Sequence, residues 1–168
     1  MWAIAHPIRF RIWESLREGP STASRLGRRL GESRGSMSYH LRFLAGAGAI
    51  EELPEAGTAR ERWWRRPEPM VVVRIDDDPE AREIDRRLLA MFFARDEDVR
   101  HRFVTGPVGP EWQRASLVGN WLVELTPEEA DDLGLRLFAL VDDVRRGREP
   151  SPGATRALVS VSVLPVVD

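Results

Sequence analysis

Apolar residues recur at helical spacing through the first third of the chain. Ile8, Ile12 and Leu16, with Trp13 beside them, form one stripe and predict a helix over 7–18. Pro7 suits the first helical position, and Gly19-Pro20 ends the pattern. A second stripe, Ala23, Leu26 and Leu30, predicts a helix capped by Ser21 or Thr22 and stopped by Gly31. A third, Met37, Leu41 and Leu44, predicts a helix over 34–47 with Ser33 as its cap, loosened and ended by Gly46 and Gly48. Two short extended pieces follow, 50–53 and 60–65. The turn between them holds Pro54, Glu55, Ala56 and Gly57, which fits a β-hairpin.

Pro67-Glu68-Pro69 reads as a linker. An apolar run over 70–75 then predicts a strand. Asp76-Asp77-Asp78-Pro79 is a helix entry, with acids near the positive end of a helix dipole. The helix predicted over 80–103 carries Ile84, Leu88, Met91, Phe92 and Val99 on its apolar face, and Gly106, Pro107, Gly109 and Pro110 break the chain after it. Leu117, Trp121 and Val123 alternate in a strand candidate over 115–125. Thr126-Pro127-Glu128-Glu129 is a capping box that opens a helix to about 146, striped by Leu133, Leu137, Leu140, Val141 and Val144. After a loop at Pro150, Ser151, Pro152 and Gly153, Ala157, Val159, Val161 and Val163 alternate as a last strand. The predicted class is α+β. Three helices and a hairpin occupy 1–66, and a small α/β domain, ordered strand-helix-strand-helix-strand, occupies 70–168.

Composition adds exclusions. The 168 residues are 42% hydrophobic, enough for a core, and include no Cys. A disulfide framework, a thiolate zinc site and a Cys nucleophile are therefore excluded together. No apolar run is long enough to span a membrane, and no basic start followed by an apolar stretch marks export, so a cytoplasmic location is expected. The net charge of −2 conceals an asymmetry. Residues 1–66 hold 12 Arg against 7 Glu, a net of +5, whereas 67–168 hold 13 Arg against 20 acids, a net of −7. Such a split fits a part that faces nucleic acid and an acidic companion. Every basic residue is Arg, so each cationic contact is a guanidinium suited to bidentate grip on phosphate or guanine.

Three short helices and a hairpin within about 65 residues follow the plan of a winged helix-turn-helix. The tight link at 31–33 makes the second and third helices cross, so that the third can enter a major groove by its N-terminal end. Its inner positions are apolar, while its outer positions are Arg34, Gly35, Ser36, Ser38, Tyr39, His40 and Arg42, side chains of the kinds that reach base edges and phosphates. Residues 3–65 resemble the DNA-binding domain of ArsR-type (arsenic-repressor-like) bacterial regulators. The resemblance rests on Ala5-His6-Pro7-Ile8-Arg9 with Arg11-Ile12, on Thr22-Ala23-Ser24-Arg25-Leu26, on 33–44 from Ser33-Arg34-Gly35-Ser36 through Leu41-Arg42-Phe43-Leu44, and on Ala47-Gly48-Ala49-Ile50-Glu51. It implies a homodimer on an inverted-repeat operator in double-stranded DNA, usually as a repressor. It also implies that Arg34, Ser36, Ser38 and Tyr39 read bases or touch phosphates, and that His40 is a DNA contact or a structural brace. Arg60 and Arg62 fall on the wing, where the family touches backbone or minor groove; the alternative for each is a solvated strand end. Trp63 and Trp64 are expected in packing rather than in base stacking.

The chain departs from that pattern twice. Many relatives sense metals, yet there is no Cys here and only His6, His40 and His101; Asp98 with His101 falls short of a metal site, so metal sensing is not expected. Only five residues precede His6, so either the true start lies upstream or the second half supplies the dimer contacts. No nucleophile–base pattern, glycine-rich phosphate loop or metal-ligand spacing marks the second half, and neither catalysis nor a cofactor is expected. Asp76-Asp77-Asp78 reads as a helix cap and hinge, with cation binding as the alternative, and Asp96-Glu97-Asp98, Asp131-Asp132 and Asp142-Asp143 read as solvated helix faces. Trp112 and Trp121 are expected in the core, with the lining of a pocket for an unknown small-molecule effector as the alternative. The 80–103 helix with Phe92-Phe93 is the expected subunit interface. Two other functions stay open: a winged-helix protein-interaction module that does not bind DNA, and a regulatory domain fused to an unrecognised small-molecule-binding or enzymatic domain. The operator, the effector and the choice between repressor and activator are not written in the residues.

Overall fold

A computed structural model describes residues 2–56, 61–67, 75, 77–146 and 151–166. The elements run α1 (Pro7–Ser15), β1 (Ser21–Thr22), α2 (Ala23–Leu30), α3 (Arg34–Gly46), β2 (Glu51–Glu52), β3 (Trp63–Arg65), α4 (Pro79–Thr105), α5 (Pro110–Ala115) and α6 (Pro127–Arg145), with short 3-10 turns at Trp2–Ile4, Leu16–Glu18 and Pro54–Ala56. The chain divides into two compact units, Met1–Ala94 and Arg95–Asp168.

In the first unit the three predicted helices form where the stripes put them. Pro7 opens α1, and Thr22 rather than Ser21 caps α2, its hydroxyl oxygen accepting from Arg25 N at 3.3 Å. Gly31 ends α2 in the left-handed region, φ 73°, where a side chain would be strained. Ser33 caps α3 by accepting from Ser36 N at 3.1 Å. Ile8, Ile12, Leu16, Leu26, Met37, Leu41 and Leu44 are all buried together, with Trp13, Phe10, Ile50 and Trp64. The hairpin is antiparallel, with Glu51 opposite Arg65 and Glu52 opposite Trp64. A third strand lies on its other side: Ser21 pairs with Trp64 and Thr22 with Trp63, giving the order β1-β3-β2. Two residues show no period, so the sequence predicts no strand at 21–22; the pairing exists only through β3. Thr22 is fully buried there, so one residue joins the sheet and caps a helix.

The first unit also takes in the start of α4, which lies beyond the 67–69 linker. Leu88 is fully buried, and Phe92 packs edge-on against Phe10 and Trp13, with centroids 5.2 and 6.0 Å apart. Phe92 is thus half-buried against the core of its own chain, and its neighbour Phe93 is exposed.

The second unit differs most from expectation. The capping box at Thr126 and Glu129 is present, with both reciprocal hydrogen bonds, and it starts α6 as predicted. Neither of the two strand candidates that fall in this unit is a strand. Residues 110–115 form the short α5, while 116–126 and 155–166 run without helix, turn, bend or ladder partner. A strand needs a neighbour to satisfy its backbone, and one chain supplies none there. Trp121, expected in the core, is 79% exposed, and Trp112 is exposed as well. Asp96, expected on a solvated face, is instead buried, ion-paired with Arg95 and accepting a hydrogen bond from the Ser160 hydroxyl. The strand predicted over 70–75, apart from Ile75, lies outside the described residues, as does Asp76. Among the described residues no helix is long and apolar enough to cross a membrane.

Candidate nucleic-acid interface

The third helix is two-faced. Met37, Leu41 and Leu44 are fully buried, and this fixes the rotation of α3 about its axis. Arg34, Gly35, Tyr39 and Arg42 are consequently exposed, and Ser36, Ser38 and His40 half-buried. Tyr39 is 59% exposed. The placement of α3 against α2 depends on Gly27. Its amide oxygen accepts from Glu32 N at 2.9 Å, and a Cβ there would come within 2.8 Å of the Glu32 carbonyl oxygen.

The outer side chains are held by local partners. The Ser36 hydroxyl donates to the Glu32 carboxylate at 3.2 Å, and Arg42 Nε donates to the Ser38 carbonyl at 3.1 Å, which steadies the guanidinium one turn along the helix. On the hairpin, exposed Arg62 pairs with Glu52 at 3.5 Å. An exposed pair of this kind contributes ~0–1 kcal/mol and yields readily to a competing anion. Arg42 and Arg62 line one shallow groove together with Ile50, Glu51, Glu52 and Trp64. The fold thus brings a guanidinium of the helix and one of the hairpin to a single surface.

His40 is turned toward α1. Its ring lies 5.6 Å from that of His6 and 5.2 Å from that of Tyr39. Burial pushes its pKa below the usual imidazole range, the nearby His6 and Arg9 push it the same way, and Glu32 opposes them. Arg9 stacks on Phe43, 4.1 Å from the ring centroid. The imidazole therefore sits between α3 and the start of α1.

Residues 4–52 match a family model described as a helix-turn-helix domain. They are a helix-turn-helix domain. With the three-stranded sheet beside it this is a winged helix-turn-helix, the fold implied by the resemblance to ArsR-type regulators. A crystal structure described as a possible transcriptional regulator for arsenical resistance is 27% identical, over 59% of this chain and 91% of that one, with a TM-score of 0.35. The apo form of a Lactococcus lactis ZitR mutant is 14% identical, over 83% of each chain, with a TM-score of 0.37. No curated protein matches the chain.

Within the helix-turn-helix domain, α3 brings Arg34, Gly35, Ser38, Tyr39 and Arg42 to one outer surface. Arg62 joins Arg42 across the groove, and Arg60 lies outside the described residues. Trp64 is buried as expected, and Trp63 is half-buried under the Arg25 guanidinium, 4.5 Å from its ring centroid. Nothing in the sequence around Arg25 marks it as a contact residue. It stands in the first turn of α2, exposed and stacked on the hairpin, and only the pairing of β1 with β3 brings it there. Among the described residues no group of three or more His, Asp or Glu stands where it could hold a metal ion.

Proposed function

We propose that the chain is a sequence-specific transcriptional regulator of the ArsR type that binds double-stranded DNA by inserting α3 into the major groove. The observation that carries this reading is the division of α3: its apolar positions are fully buried and its guanidinium, phenol and hydroxyl groups face outward. Arg34, Ser38 and Tyr39 read base edges; Arg42 and Arg62, on one groove, and Arg25, on Trp63, grip phosphates. The acidic second half is repelled by DNA and leaves the basic face as the docking surface. The protein acts in the cytoplasm as a homodimeric repressor on an inverted repeat. It works by binding rather than catalysis and without a thiolate metal sensor, and its second half provides dimer contacts or an effector site.

Binding of the full chain to genomic DNA fragments across a range of salt concentrations tests this. We expect affinity to fall steeply with salt, and Arg62→Ala to reduce the logarithmic slope by ~0.9, one phosphate's worth, across all sequences. An intact protein with no salt-dependent DNA binding would leave the interaction-module reading in its place.

A further inference from the structure

Among the described residues the second unit has no buried hydrophobic side chain; the one side chain buried there is the carboxylate of Asp96. A compact unit cannot meet the entropy of ordering its chain without apolar burial. The unit is not short of apolar residues. Leu117, Val118, Trp121, Leu122, Val159 and Leu164 are each between 61% and 89% exposed. The unit thus leaves the apolar side chains of both extended segments, 117–122 and 159–164, largely uncovered.

The last segment indicates what covers it. Residues 158–164 read Leu-Val-Ser-Val-Ser-Val-Leu, the same in both directions, and 157–166 contain no charged residue. Among the described residues this stretch makes no backbone hydrogen bond. An exposed, uncharged, unpaired strand edge is what monomeric proteins avoid. Its Ser160 hydroxyl donates to Asp96 on α4, and Leu158, Val161 and Val163 are half-buried. We propose that residues 158–164 pair antiparallel with the same residues of a second copy, across a two-fold axis at Val161, so that two protomers share one sheet.

In that register residue 161 faces itself, Val159 faces Val163, Ser160 faces Ser162 and Leu158 faces Leu164. Every position meets its own kind, as an isologous contact requires. Pro165, which has no N–H, falls opposite Ala157 and ends the ladder. The shared sheet supplies the backbone partners that one copy lacks. This deepens the homodimer of the proposed regulator by assigning its contact, and it moves that contact from the middle of α4 to the end of the chain.

The absence of Cys makes the test clean. In the full-length protein, Val161→Cys places two thiols directly opposite, with Cα atoms about 4.5–5.5 Å apart and within disulfide range. Ser162→Cys is one residue away, but its own copy lies two residues further along the ladder, about 8 Å distant and out of range. Under mild oxidation Val161→Cys is expected to cross-link at least tenfold faster than Ser162→Cys, in a protein that sediments as a dimer. Equal rates, or a monomeric full-length protein, overturn the proposal. Val161→Asp and Val161→Lys supply a second measurement: each alone weakens the dimer by like charge on the axis, and an equal mixture restores it. No restoration also overturns the proposal. A dimer that still binds DNA but shows no preference for cross-linking at 161 rejects this pairing and leaves the regulator reading intact.

Discussion

Gly27→Ala sets two effects of known size against each other. Alanine is favoured over glycine inside a helix by ~1 kcal/mol. At Gly27 the added methyl comes within 2.8 Å of the Glu32 carbonyl oxygen and 3.4 Å of Met37 Cγ. The first neighbour is backbone and is tied by its own residue's N–H to the Gly27 carbonyl, so it cannot swing aside as a side chain does. Overpacking of this kind costs ~1–3 kcal/mol, which exceeds the propensity gain. The expected net is a loss of up to ~2 kcal/mol and a fall in Tm of up to roughly 15 °C for a unit of this size. The shift should also re-aim α3, so operator affinity should fall further than stability accounts for. Gly46→Ala is the control. It lies at the exposed end of the same α3, with nothing within 4 Å, and should stabilise by a few tenths of a kcal/mol. Thermal and urea denaturation of both variants, with operator titration, decides the matter. If Gly27→Ala is as stable as Gly46→Ala, the close α2–α3 crossing is not what Gly27 is for.

Three further outcomes are expected. Arg34→Ala should weaken operator binding by ~1–3 kcal/mol and relax specificity at one base pair, read from binding to a panel of single-base operator variants; unchanged specificity removes Arg34 from base reading. Thr22→Ala should cost ~1–2 kcal/mol in urea denaturation, and Thr22→Ser much less, because the serine hydroxyl keeps the α2 cap; equal losses would show that the buried methyl, not the cap, carries the effect. His40 titrates below its unfolded value, so the unfolded chain takes its proton first. Its contribution is complete above about pH 6.5 and is lost as the pH falls through the folded pKa. His40→Gln should flatten the stability profile on that acid side alone, and an unchanged profile would assign the acid loss to other groups.

The residues of the first unit announced most of the domain because each helix carries its signals locally. Pro7, Thr22, Gly31 and Ser33 mark the ends, and the stripes on α1, α2 and α3 mark the faces. The outer positions of α3 were legible for the same reason: once Met37, Leu41 and Leu44 are inward, helical geometry fixes where Arg34, Tyr39 and Arg42 stand. The role of Arg25 was not legible. Its place beside the hairpin depends on β1 pairing with β3, across about forty residues of chain. His40 shows the same limit, since its tie to α1 follows from how two helices pack rather than from its own neighbours in sequence.

By itself the sequence determined the long helices, α1 to α4 and α6, and which of their faces are apolar, because propensity, capping and periodicity act within a few residues; the six-residue α5 was too short to show a period. It also determined the charge division and the absence of thiol chemistry. Only the tertiary structure decided where the surplus apolar faces go. Phe92 was taken into the first core, and Asp96 was buried beneath Ser160. The alternating segments after α5 and at the end of the chain stayed unpaired. Alternation states that a segment suits a sheet, but a sheet forms only where a second edge is within reach, and that is a property of the fold or of the assembly.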